Sequence, residues 1–456
     1  KWLDDDKGKQ KKGAFLKSIW LQTCAYLYTN KIKPTTLEWS CPGSMMEADI
    51  NELDKIYNSL CKLTPIVGAK TTLAYHQNAV TEAEAVCSYA LSQNFGLNSN
   101  NMFLGIDVGG STSDILLLAK DSDNGNQATL YRESSVRLAA GVFFNAVIKS
   151  DTFRQALLSF HEGHKTNVYV SNIKEILTEP SKAPYFLNSI FDQLKTTEDY
   201  EEFYSSIDVN AKFVFTIPAY VTGMLLYYSG MLIGKTIKAE HLERISRVDV
   251  LSFGKGGRLF HWLLNSAGVR ATREYYADCL NAGVRMVVGK ELDVVYRDEI
   301  AEDNKAEVAK GLCDPKELEK KAFSSESDIC GESGVKYIMA NGAPKELQAE
   351  DELTGDYFAN EMNNFDFSGI ENFEKFMNIF LDFVSVKTHL YPQADNALRS
   401  DLADLPNRIA SYICNNDTEY RKARNSEDGS FHYHQPLIIA EGVCFLDTLI
   451  KKVFDQ

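Results

Sequence analysis

Apolar residues along the chain fall into two kinds of run, and the mixture predicts an α/β protein. Residues 14–30 carry Phe15, Leu16, Ile19, Trp20 and Leu21 at helical spacing, so an amphipathic helix is predicted there. Thr36-Leu37-Glu38-Trp39-Ser40 reads as a strand stopped by Pro42-Gly43, and a helix follows at about 47–61. Thr71 to Tyr75 reads as a strand and Thr81 to Gln93 as a helix. Thr81 and Glu84 have the spacing of a capping box, in which each residue satisfies a backbone N–H of the other. Met102 to Val108 and Asp114 to Ala119 are almost continuously apolar. They read as paired strands buried on both faces, joined by the tight turn Gly109-Gly110-Ser111-Thr112. A loop at 121–126, a third strand from Thr129 to Arg137 and a helix from about 142 follow. Residues 150–210 read as mainly helical, ending in the acidic patch Glu198, Asp199, Glu201 and Glu202.

Phe213 to Gly234 contains no charged residue and approaches the length of about 20 apolar residues that a membrane span needs. Pro218 interrupts it, and Thr216, Thr222, Gly223, Ser229 and Gly230 dilute it. The better reading is a strand over Phe213–Ile217 and a helix from Ala219 to Lys238. Pro218 then stands just before the helix, where its missing N–H costs nothing. Val248 to Phe253 reads as a buried strand running into Gly254-Lys255-Gly256-Gly257-Arg258, with a helix beginning at Leu259. Residues 284–296 read as a strand pair, with a helix from about 302. Further on come a strand near Lys336–Met339, helices near 371–384 and 400–414, and a last helix after Gly442.

Composition narrows the class. The chain has 456 residues, 44% of them hydrophobic and 24% charged. That is enough for a large core and about three domains or subdomains. The net charge of -15 argues against a broad nucleic-acid surface, which needs clustered Lys and Arg. The nine cysteines are scattered without a C-x-x-C pair. They read as reduced thiols of a cytoplasmic protein, not as a disulfide framework or zinc site. The opening Lys1 to Lys12 reads as a charged, solvated tail.

Two segments carry the candidate chemistry. In Asp107-Val108-Gly109-Gly110-Ser111-Thr112-Ser113-Asp114 a carboxylate ends a buried strand. The turn after it is made of residues small enough for backbone N–H groups to approach a ligand. Amide donors and an acid that holds a metal ion through its waters are what a polyphosphate with a divalent cation requires. The plainer alternative is a tight hairpin with Gly-Gly at positive φ. Gly254-Lys255-Gly256-Gly257-Arg258 is a glycine-rich loop at a helix start, a ready anion site, or else an ordinary strand-to-helix connection. Arg258 can stack on an adenine face or simply lie on the surface. Glu82 begins a helix, where it can point at a water or complement the helix dipole. Lys305 to Gly311 spaces Ala and Gly so that helices can pack closely. His161-Glu162-Gly163-His164 has the wrong spacing for a metalloprotease helix, and His432-Tyr433-His434 reads as exposed. Ser111 and Ser252 have no evident His–Asp partners.

Together and in this order, these segments resemble the superfamily of actin, DnaK-type heat-shock chaperones and sugar kinases over about residues 35 to 312. Asp107 to Asp114 is similar to its second phosphate motif, and Thr81 to Ala85 to its first connecting motif. Phe253 to Leu259 is similar to the adenosine motif, and Glu307 to Gly311 to the second connecting helix. Leu37 to Gly43 resembles the strand ending in proline that precedes the first connection. The resemblance implies a two-lobed actin-like ATPase fold with ribonuclease-H-like cores closing on ATP or ADP and Mg²⁺. Residues 1–100 and 301–330 would form the first lobe, 101–300 the second with a helical insertion at about 150–210, and 331–456 an α/β extension. Asp107 would hold waters of Mg²⁺, and Gly109, Gly110, Ser111 and Thr112 would bind phosphate. Glu82 would orient the attacking water, and Gly254, Gly256, Gly257 and Arg258 would cover the adenosine. Lys255 stands where the family usually has a small residue. The family's first hairpin, Asp-x-Gly-Thr-like, has no counterpart in residues 1–100 or after 312, so either the chain is a piece of a longer protein or half of the phosphate clamp is lost. The implied activity is Mg²⁺-dependent ATP hydrolysis driving lobe closure, with a protein partner. A small-molecule kinase and a non-catalytic interaction platform are the alternatives, and Asp114 favours the switch class.

Overall fold

The computed structural model describes residues 6–32, 35–41, 47–63, 71–73, 80–92, 97–120, 128–163, 211–297, 306–313, 319–320, 328–339, 342–352, 364–416 and 435–454, with positions 187, 202 and 205–207. Contacts divide the chain into two units. One comprises Lys1–Phe95 and Ala306–Glu317, the other Gly96–Lys305 and Leu318–Gln456.

The first unit contains α1 (Asp6–Thr29), β1 (Thr35–Leu37), β2 (Ser40–Cys41), α2 (Glu47–Cys61), β3 (Thr71–Leu73), β4 (Val80–Thr81) and α3 (Glu82–Ser92). β1 pairs with β3 and β2 with β4, both parallel. The basic run 7–12 forms the first turns of α1, not a tail. Unbranched Lys side chains are good helix formers, and Lys12 is buried with its ammonium 3.6 Å from Glu52. Trp20, Cys24 and Leu60 form a small core. The capping box at α3 is present: Thr81 N–H donates to Glu84 Oε2 (3.0 Å) and Glu84 N–H to Thr81 Oγ1 (3.1 Å). A later segment, Glu307–Cys313 (α9 in chain order), crosses α3 at backbone contact. A side chain at Gly311 would strike the Ala85 carbonyl, so the Ala and Gly spacing there serves close helix packing.

The second unit is built on one mixed sheet. Its strands are β5 (Asn101–Val108), β6 (Ser113–Lys120), β7 (Ala128–Val136), β8 (Arg247–Phe253), β9 (Asp293–Tyr296) and the short β10 (Glu319–Lys320). The order is β10-β7-β6-β5-β8-β9. β5, β6 and β7 form an antiparallel meander, whereas β8 joins β5 and β9 joins β8 in parallel. The continuous apolar runs of β5 and β6 are buried as predicted.

Helices α4 (Gly141–Val147), α5 (Asp151–Gly163), α6 (Thr216–Ala239), α7 (Arg258–Ala267) and α8 (Val269–Val288) follow the meander. They are joined by α10 (Glu371–Leu381), α11 (Ala394–Asp404), α12 (Pro406–Asn416) and α13 (Leu437–Phe454). A small antiparallel sheet, β12-β11-β13, comprises β11 (Lys336–Ile338), β12 (Pro344–Glu346) and β13 (Phe365–Asp366). The described part of the 331–456 segment therefore packs within this unit, with α10 and α13 against α6. Of the insertion read at 150–210, α5 is described, and most of 164–210, including nearly all of the acidic patch, lies outside the described residues.

Three expectations are corrected. Phe213–Ile217 is not a strand: Lys212–Phe215 is a 3₁₀ turn that leads into α6 at Thr216. Pro218 sits inside the first turn of α6, where a missing N–H is still harmless. Residues 284–296 are not a strand pair. α8 runs on to Val288, ends on left-handed Gly289 (φ 64°), and only β9 follows. The last helix starts at Leu437, before Gly442.

α6 is the one described helix long and apolar enough to cross a membrane, and its most apolar stretch is entirely buried inside the protein. Three of its hydroxyls bond back to the helix itself: Thr222 to Pro218 O (2.8 Å), Ser229 to Leu225 O (2.7 Å) and Thr236 to Leu232 O (2.8 Å). These bonds satisfy polar groups that would otherwise be costly to bury. Glycine permits its close approach to α8. A Cβ at Gly230 would strike the Leu280 carbonyl, and one at Gly283 would lie 2.9 Å from Met231 N.

Candidate functional site

The chain leaves β5 on one side through β6 and β7 and returns on its other side as β8. β5 and β8 are therefore the strands between which the order reverses. Crevices outside strand carboxyl ends at such a point are where open α/β sheets take ligands. Asp107 and the 109–112 turn stand at that end of β5, and Gly254 to Arg258 at that end of β8. Asp107 is paired in register with Phe253 on one side and with Asp114 on the other.

The 109–112 turn is held by its carbonyls. Gly109 N–H closes the hairpin onto Thr112 O (2.9 Å). Ala140 N–H donates to Gly109 O (3.1 Å) and Gly141 N–H to Gly110 O (3.2 Å), at the start of α4. A side chain at Gly141 would strike the Gly110 carbonyl, which accounts for glycine there. Among the described residues, the N–H groups of Gly110, Ser111 and Thr112 donate no hydrogen bond. Gly110 and Ser111 are exposed and Thr112 half-buried. Three successive undonated amides, with the Gly110 and Thr112 carbonyls already engaged, offer donors suited to an anion.

The second loop packs closely against the end of β5, from which the first turn leaves. Gly254 adopts φ 68°, ψ 170°, a conformation that is essentially confined to glycine. A Cβ there would strike Asp107 Oδ1 and lie 2.9 Å from Val108 O. At Gly256 a Cβ would come within 2.6 Å of both Ala140 Cβ and Val108 Cγ1. Lys255 to Gly257 make a 3₁₀ turn, Lys255 is half-buried, and Arg258 begins α7 buried at 8% exposure. The structure thus brings Asp107, Gly109, Gly110, Ser111, Thr112, Gly254, Lys255, Gly256, Gly257 and Arg258 to one end of one sheet. Glu82 stands apart in the chain's organisation, as the first residue of α3 in the other unit.

Burial separates the two carboxylates. Asp107 is half-buried, whereas Asp114 is 4% exposed with no hydrogen bond to its Oδ1. Burial raises the Asp114 carboxyl above the usual range, and the nearby hydroxyl of Ser135, its cross-strand neighbour, offsets part of the rise. Among the described residues no cluster of three or more His, Cys, Asp or Glu could hold a metal ion. His164 and His432 to His434 lie outside them.

Sequence reasoning missed the supports of the glycine loop. Ser252 Oγ lies 2.7 Å from Tyr296 Oη and donates to Gly257 O at 3.3 Å. Phe260 stacks on Tyr296 with ring centroids 5.6 Å apart, and Tyr276 Oη donates to Phe260 O (2.9 Å). Tyr296 is remote in sequence from the loop it supports, and no local pattern marks it. Ala139-Ala140-Gly141 did offer a signal, a run of small residues after a strand. No protein-family model matches the chain, and no curated protein matches it.

Proposed function

We propose that this chain binds ATP or ADP with Mg²⁺ and hydrolyses ATP, as an ATPase of the actin and DnaK-type chaperone kind. The observation that carries the reading is the cradle at the ends of β5 and β8. There the undonated amides of Gly110, Ser111 and Thr112 stand at the same sheet end as Asp107 and a loop whose Gly254 and Gly256 admit no side chain. An antiparallel meander extended by two parallel strands supports the ribonuclease-H-like core that the resemblance implies.

In this reading the 109–112 amides and hydroxyls hold phosphate oxygens, and the 254–258 loop covers the nucleoside. Asp107, with no metal-binding cluster of three or more side chains among the described residues, fits a cation that keeps its water shell, as Mg²⁺ does. The ion would supply neutralisation of phosphate charge. Phosphoryl transfer needs little else from a protein than positioning and charge stabilisation. Glu82 is proposed to orient the water, and lobe closure is the mechanical consequence.

Calorimetry with Mg²⁺-ATP tests the site. The wild-type chain is expected to bind, and Asp107→Ala to lose most of that affinity in Mg²⁺ while keeping its fold. Wild-type protein that binds neither ATP nor ADP would leave the platform reading. Product analysis separates the chemistry: inorganic phosphate supports hydrolysis, whereas a phosphorylated hydroxyl acceptor supports the kinase alternative. Glu82→Gln should slow turnover without weakening binding.

A further inference from the structure

A second feature of the larger unit is independent of the glycine loops. Glu332 and Glu441 are both fully buried. Glu332 lies in the loop before β11 and takes three backbone donors: Ser333 N–H (2.7 Å) and Asn372 N–H (2.7 Å) on Oε1, and Phe373 N–H (2.9 Å) on Oε2. Two of these open α10, so the carboxylate also meets the positive end of that helix. Glu441, on α13, has no donor at either oxygen among the described residues. Glu332, another acceptor, bears on it electrostatically, and Ile438, one turn earlier on α13, meets the loop that carries Glu332. Two buried carboxyl groups held side by side in this way share a proton rather than both ionising.

We propose that Glu332 and Glu441 form a proton-locked acid pair that fastens the 329–335 loop and the start of α10 to α13, and that the junction loosens as the proton is lost to solvent at rising pH. Neighbouring contacts place the pair at a junction. Ile438 N–H of α13 donates to Cys330 O (3.4 Å), and a side chain at Gly331 (φ 74°) would strike Ile438. Among the described residues, the groups that bear on the pair are acids, phenols and thiols. Tyr220 and Tyr227 face the pair from α6, Cys330 acts from the loop, Asp351, after β12, acts on Cys330, and Cys444 acts from α13. Arg285 of α8 acts on Tyr227, and no cation holds either carboxyl among the described residues. Burial raises both groups. For Glu441 burial is the larger cause and the charge of Glu332 adds to it; Glu332, its burial partly offset by its donors, is pushed up to about 7.

The sign follows from linkage. Acids that hold their protons more tightly in the folded state stabilise it fully below their unfolded values, and that stability is lost as pH rises through the folded ones. Thermal unfolding of the full chain from about pH 5 to about pH 8.5 is compared with Glu441→Gln, which keeps a donor for Glu332 but cannot ionise. The variant is expected to lose up to a tenfold change per pH unit in the unfolding constant relative to wild type. Asp328 is also raised to about 7, so the difference between the two proteins is what counts. Equal pH slopes would overturn the pair. Should the variant not fold, hydrogen exchange on wild type decides. The Asn372 and Phe373 amides should exchange faster at high pH than the ordinary tenfold per pH unit, and a plain tenfold dependence refutes the lock.

Discussion

Gly254 makes the strictest demand of any residue at the candidate site, because its φ of 68° and its contact with Asp107 both exclude a Cβ. Gly254→Ala is expected to cost about 1–3 kcal/mol in backbone strain alone, seen as a lower denaturant midpoint. It should also displace Asp107 and weaken Mg²⁺-ATP binding. Tyr296→Phe removes only the hydroxyl that holds Ser252, and should cost about 1 kcal/mol by chemical denaturation. The difference between these two positions marks what sequence could reveal. Asp107 to Thr112 and Gly254 to Gly257 were legible because strand ends and glycine turns are local signals. Tyr296 and the buried acids Glu332 and Glu441 were not, because their roles arise from partners remote in the chain.

At the scale of elements, the apolar runs of β5, β6 and β8 predicted strands with boundaries within a residue of those found. Phe213–Ile217 shows where such reading fails. An aromatic and β-branched run favours a strand locally, but these residues lead into a helix buried on every side, and burial rather than propensity decides. The same cause erased the strand pair read at 284–296, where α8 extends along α6. The Gly230 and Gly283 contact is what lets those two helices meet. Gly283→Val is therefore expected to overpack the junction and destabilise the unit by roughly 1–3 kcal/mol or more, read as a fall in Tm with retained helical circular dichroism at low temperature.

At the scale of the whole molecule, pH acts on stability from two sides. Asp249 is buried, which alone would raise its carboxyl. Hydrogen bonds from Arg247 (2.9 Å) and Asn101 (2.8 Å) and the charge of Arg297 outweigh this and hold it below the usual range. A depressed acid stabilises the fold above its unfolded value and loses that contribution as pH falls through its folded value. Asp249→Asn should thus be less stable than wild type at neutral pH and flatter in its response to acid, as measured by Tm across pH. Glu332 and Glu441 give the opposite slope at the alkaline side. The central claim concerns the phosphate cradle, and backbone amide spectra of the ¹⁵N-labelled chain titrated with Mg²⁺-ADP test it most directly. The account predicts that Gly110, Ser111 and Thr112 shift together with Gly254 to Gly256, and that Asp107→Ala weakens the response. Saturating nucleotide that leaves those amides unmoved, or that moves only residues elsewhere, would contradict it.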